Sequence, residues 1–122
     1  MSAHEEILGL LHHYFDGLYR GDVALLRTVF HPQAILFGEV RGQPYLRTLD
    51  DYLAIVAERK SPELLQEPFR MKPLAVEAIG RIGNARVSCP ILGHNYVDYL
   101  GLLRNDDRWQ IVNKLFTHVA TD

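Results

Sequence analysis

The sequence predicts an α+β domain, with helices in the first half packed on a curved antiparallel sheet in the second, around an internal pocket. Two observations carry this. Apolar residues recur at helical spacing as far as about residue 58 and at every second position beyond about residue 69. Helices come first and strands after, without the strand–helix–strand alternation of a parallel sheet. At 122 residues, 48% apolar and 23% charged, the chain has the size and composition of one folded domain over 1–122.

The first helix starts at a capping box, Ser2 with Glu5. Its stripe is Ile7, Leu8, Leu11, Tyr14, Phe15 and Leu18. Gly21 ends it, and Asp22 caps a short second helix with Val23, Leu26, Val29 and Phe30 inward. His31-Pro32 stops that helix. Residues 34–40 read as a strand, followed by a turn at Gly42 and Pro44. Thr48 with Asp51 opens a third helix carrying Leu49, Tyr52, Leu53 and Val56. Four strands follow at about 69–79, 85–92, 94–104 and 108–119, the last three an antiparallel meander. Pro90 argues that its strand lies near an edge or carries a bulge.

Both faces of the last two strands are substantially apolar, where a sheet with one solvated face should alternate more cleanly. One side is therefore expected against the helices and the other against a second copy, making a homodimer through the sheet.

A net charge of −2 gives no global pull toward nucleic acid or an anionic membrane, so neither is expected as a partner. No apolar run approaches a bilayer span, and no secretory signal is visible. The single cysteine, Cys89, has no internal disulfide partner; a reducing, cytoplasmic location is expected, with the thiol buried and inert. His4, His12, His13 and His94 show no metal-ligand spacing, so neither a metal nor a cofactor is expected. No phosphate-binding glycine loop or nucleophile elbow is present.

Two segments carry a resemblance. GLYRGDVALLRTVFHPQAIL (17–36) and VDYLGLLRNDDRWQIVNKLF (97–116) resemble signatures of the nuclear transport factor 2-like superfamily. The second resembles the ending of its lumazine-binding branch. The resemblance implies a cone: three N-terminal helices on a strongly curved, mostly antiparallel, cystatin-like sheet enclosing a pocket. It also implies which strand faces look inward: Tyr99 and Gly101 on one strand, Lys114, Phe116 and His118 on the next. Tyr96, Asp98, Trp109, Ile111 and Asn113 then fall on the outer, dimer-forming face.

The ketosteroid isomerase pattern of that superfamily asks for a first-helix tyrosine, a carboxylate base and a second, protonated acid. Tyr14 matches the first. The base falls at Gly38 and the second acid near Gly101, so that mechanism is not carried over. Dehydratase chemistry with a first-helix aspartate fails too, because Asp16 is off the apolar stripe.

The candidate pocket contacts are thus Tyr14, Tyr52, Tyr99, Lys114, Phe116 and His118. Tyr14 is either a pocket donor or a core aromatic with a satisfied hydroxyl. Lys114 either pairs inside the pocket or sends its ammonium to the rim. His118 is a candidate acid or base but lies near the chain end. His31 reads as closing the second helix or edging the pocket. Three functions follow: a binding protein for an apolar or aromatic small molecule; an isomerase, dehydratase or cyclase using Tyr14 with Lys114 or His118; and a dimeric interaction module with a filled cone.

Overall fold

The computed structural model describes residues 2–120. Helix α1 (Ala3–Arg20) begins at the expected capping box and ends at Gly21, whose φ of 64° suits glycine. Asp22 accepts the Leu25 N–H to start α2 (Val23–Val29). Strand β1 (Phe30–Val40) follows at once, earlier than the expected residue 34. His31 therefore sits on a strand instead of closing a helix. Phe30 donates its N–H to Leu26 as the cap, and His31 Nδ1 accepts the Gln33 N–H 3.0 Å away.

The segment read as a turn is a second strand, β2 (Gln43–Thr48), joined to β1 by a two-residue turn with φ of 53° at Arg41 and 78° at Gly42. Two successive positive φ values give the twist that a tight hairpin needs. Pro44 is tolerated because β2 is an edge strand. Thr48 accepts the Asp51 N–H and caps α3 (Leu49–Glu58).

Strands β3 (Lys72–Ile79), β4 (Ile82–Ile91), β5 (His94–Asn105) and β6 (Arg108–Val119) form consecutive antiparallel hairpins. The sheet order is β2-β1-β6-β5-β4-β3, with β1 parallel to β6. Pro90 lies beyond Ser88, the last β4 residue paired with β3, so its strand is locally an edge there. The helices fill the concave side: Ile7, Leu11, Tyr14, Phe15 and Leu18 of α1 are all buried.

The expected assignment of strand faces holds for Lys114 and Phe116 and is overturned for Tyr96, Asp98, Tyr99, Trp109 and Ile111. On β5 the buried set is Asp98, Leu100 and Leu102, and Tyr99 is 48% exposed. On β6 the alternation itself breaks: Trp109, Gln110 and Ile111 are buried, and so are Lys114 and Phe116. The cause is a bulge. Gly101 pairs with Asn113 and Leu102 with Ile111, leaving Val112 as the extra residue. Such an insertion shifts the side-chain phase by one, so Ile111 and Lys114 both face inward. Asn113 stays outside and seals the bulge, its Oδ1 accepting the Gly101 N–H at 3.1 Å. A Cβ at residue 101 would lie 2.6 Å from that oxygen, so a side chain there would displace the Asn113 amide from the bulge. Tyr96, Asp98, Trp109 and Ile111 therefore belong to the interior side, and Asn113 alone of the expected interface residues remains exposed.

Candidate functional site

The wide end of the cone holds a cavity of about 200 Å³ between α3, β2 and the inward faces of β4, β5 and β6. Its walls are apolar and aromatic except for Arg59 and one group of polar side chains. Asp98 is 1% exposed and sits at the centre of that group. The Tyr14 hydroxyl donates to Asp98 Oδ2 at 2.7 Å, and the Cys89 thiol approaches the same oxygen at 3.5 Å. Lys114 Nζ lies 3.9 Å from it and donates to the Tyr52 hydroxyl at 3.3 Å. Asp98 Oδ1 has no hydrogen-bond partner among the described residues. A buried carboxylate oxygen left unpaired is unusual enough to ask what it meets.

Each group is placed by its element. Leu100 pairs with Lys114 and Asp98 with Phe116, so antiparallel register sets the carboxylate and the ammonium diagonally on one face. Tyr14 projects from the buried stripe of α1 and Tyr52 from that of α3. Lys114 Nζ also lies over the rings of Tyr52 at 4.9 Å and Phe116 at 5.1 Å, where cation–π attraction offsets part of its lost hydration.

The electrostatics are those of a buried pair. Burial alone would push the Lys114 ammonium down; Asp98 and Tyr52 outweigh it and hold the amine above its ordinary value, hence charged. Burial, with the negative charge of Asp98 beside it, holds the Tyr14 hydroxyl well above its ordinary value. The same two causes push the Cys89 thiol well up, so it is a neutral, poorly nucleophilic group, as the sequence suggested.

The residues expected here divide clearly. Tyr14, Tyr52, Lys114 and Phe116 are brought together. His118 is outside the cavity lining, where its Nε2 accepts the Arg41 N–H and its ring centre lies 4.7 Å from that of His94 at a tilt of 42°. Tyr99 is on the opposite face, and His31 is on the outlying start of β1. Four groups were missed: Asp98 and Tyr96, assigned to the wrong face, and Arg59 and Tyr45, which were given no role. The set Tyr96, Asp98, Leu100 and Leu102 ends in two leucines against Gly101 and Leu103 on the other face. That apolar excess was the available signal for Asp98.

The expectation of a pocket without a carboxylate is thus corrected. Gly38 does lack one, and a side chain there would meet the Phe116 ring 2.6 Å away. The carboxylate comes from Asp98 instead.

The fold is that of nuclear transport factor 2-like proteins. Residues 2–117 match the family model described as "Putative lumazine-binding", and the chain belongs to that family. It is 25% identical over 118 residues to Aldolase FrzH of Cladobotryum sp., covering 94% of this chain and 90% of that protein. An NTF2-like protein of unknown function from Silicibacter pomeroyi DSS-3 superposes with a TM-score of 0.87 at 24% identity, over 98% of this chain and 100% of that one. A second, from Shewanella baltica OS155, gives 0.84 at 20% identity, over 97% and 94%. These structural likenesses speak to the fold. No helix among the described residues is long and apolar enough to cross a membrane.

Proposed function

We propose that the cavity binds a small carbonyl compound and that the chain moves a proton at the carbon next to that carbonyl. The observation that carries this is the Asp98–Lys114–Tyr52 arrangement: a buried carboxylate with a free oxygen beside a charged ammonium and a phenol in one cavity. In this reading the Lys114 ammonium and the Tyr52 hydroxyl receive the carbonyl oxygen and stabilise the enolate that develops. Asp98 Oδ1 takes the proton from the adjacent carbon, and Tyr14 holds the carboxylate in place through Oδ2. An enolate so formed is common to isomerisation, dehydration and carbon–carbon bond chemistry. The aldolase name of the 25% identical relative supports the same class. Because Asp98 keeps Lys114 protonated, the ammonium acts as a charge and not as an amine attacking the carbonyl.

The test is exchange of the α-hydrogens of a ketone such as phenylacetone in D2O, followed by proton NMR. The protein should accelerate exchange, and Asp98→Asn, checked for folding by circular dichroism, should lower the rate by about a hundredfold or more. Binding without exchange would return the cavity to the second reading, a holder of apolar or aromatic ligands. The rings of Tyr45, Tyr52, Tyr96 and Phe116 in its wall favour that role.

We further propose that the chain works as a homodimer in a reducing, cytoplasmic setting. Leu46, Phe37, Leu115 and Tyr99 align across four strands on the convex face, each about half exposed. A contiguous apolar row of this kind suits a second copy. A monomeric mass by light scattering at micromolar concentration would overturn it.

A further inference from the structure

Charge in the cavity does not balance. Asp98 and Lys114 offset each other, and a third charged side chain, Arg59, lines the same cavity. Arg59 follows the last turn of α3, where its N–H caps Ile55. Its Nη2 is buried and has no hydrogen-bond partner among the described residues, nor does any carboxylate pair with the guanidinium. The C-terminus of α3 supplies only a partial negative charge nearby. A guanidinium donates through five N–H groups in a planar fork that matches a carboxylate, and leaving one buried and unpaired is costly.

We propose that Arg59 is an anion subsite, so that the molecule taken into the cavity is a keto acid: a carbonyl compound that also carries a carboxylate. The inference rests on the carbonyl reading of Lys114 and Asp98 and adds what receives the carboxylate next to that carbonyl. Its body is aromatic or broadly apolar. Tyr45 and Tyr96 flank Phe116 with ring centres 5.1 and 5.9 Å away, forming a continuous aromatic wall beside Arg59. The carboxylate meets the guanidinium, the ring lies on this wall, and the carbonyl reaches the ammonium at the base. Arg59 is in this scheme a specificity residue, separate from the groups that move the proton.

Two probes isolate the effect, phenylpyruvate and phenylacetone, which share ring and ketone and differ by a carboxylate against a methyl group. Isothermal titration of the full chain should show phenylpyruvate binding about tenfold or more tighter. Arg59→Gln should bring the ratio near one, and Arg59→Lys should restore part of it. Thermal melting of both variants verifies that each is folded. Equal binding of the two probes by the native chain overturns the anion subsite alone, as does a ratio that survives Arg59→Gln, which would mean that water satisfies Nη2. An Arg59-dependent preference with no α-hydrogen exchange overturns the proton-transfer reading and keeps the subsite. Failure of both probes to bind at millimolar concentration overturns both.

Discussion

Lys114 and Leu115 are adjacent on β6, and each faces the way its chemistry disfavours. The ammonium is 8% exposed and the leucine 54%. The same inversion holds directly across on β5, where Asp98 is 1% exposed and Tyr99 48%. An ordinary sheet would reverse all four. Charge inside and apolar surface outside are each costly, and both persist on the same stretch of the same two strands. The concave face therefore carries a site that needs charge, and the convex face offers a surface that needs cover.

The first way to break the concave half of this contrast is to remove one member of its pair. Lys114→Met leaves the Asp98 carboxylate buried without its cation, and unfolding in urea should show a loss of about 3–5 kcal/mol. The double variant Asp98→Leu with Lys114→Met replaces the pair by apolar volume and should recover most of that loss. Additive losses in the double variant would mean that the two groups do not act as a pair. By contrast, Ile111→Ala, on the other side of the bulge, should cost about 2–4 kcal/mol through an apolar cavity that no second change at Asp98 relieves.

A smaller effect comes from pH. Lys114, Tyr14 and Cys89 are all held above their ordinary values in the folded chain. Groups raised in this way contribute stability that is whole below the unfolded pKa and is lost as pH rises. For Cys89 the loss begins near the ordinary thiol value of about 8.5, and for Tyr14 and Lys114 near about 10. Melting temperature should therefore be level from neutral pH to about 8 and fall above it, steepening beyond about 10. Cys89→Ala should delay the first part of that fall and leave the second. A profile that falls only toward acid would contradict the assignment.

How far the sequence reached follows from the same residues. Caps and periods are local, so the three helices and the hairpins of β3 to β6 were readable from Ser2, Gly21, Thr48 and the alternating strands. β2 was missed because Pro44 reads as a turn until an edge position excuses it. The site was half readable. Tyr14, Tyr52, Lys114 and Phe116 meet as expected, but Asp98 was given to the outer face and Tyr99 to the inner. With apolar residues on both faces, period alone could not choose between them. The bulge at Val112 then shifted the phase within β6, and no local residue type announces such an insertion. Arg59 reads as an ordinary helix-end charge until the cavity behind it is seen.

The smallest expected effect lies on the convex face, and its smallness is the point. Leu115→Gln and Tyr99→Gln alter side chains that are already about half in water, so neither should move the unfolding free energy of a dilute monomer by more than about 0.5 kcal/mol. Both sit in one row, since Tyr99 pairs with Leu115 and Leu115 with Phe37. If a second copy covers that row, the pair of changes removes apolar area from the centre of the contact and should raise the dimer dissociation constant by about tenfold or more, read by sedimentation at several concentrations. The same changes should leave phenylpyruvate binding unaltered, because the cavity opens on the opposite face. A dissociation constant that does not move would show that the convex row is simply tolerated, and the inversion on β5 and β6 would then need explaining from the concave side only.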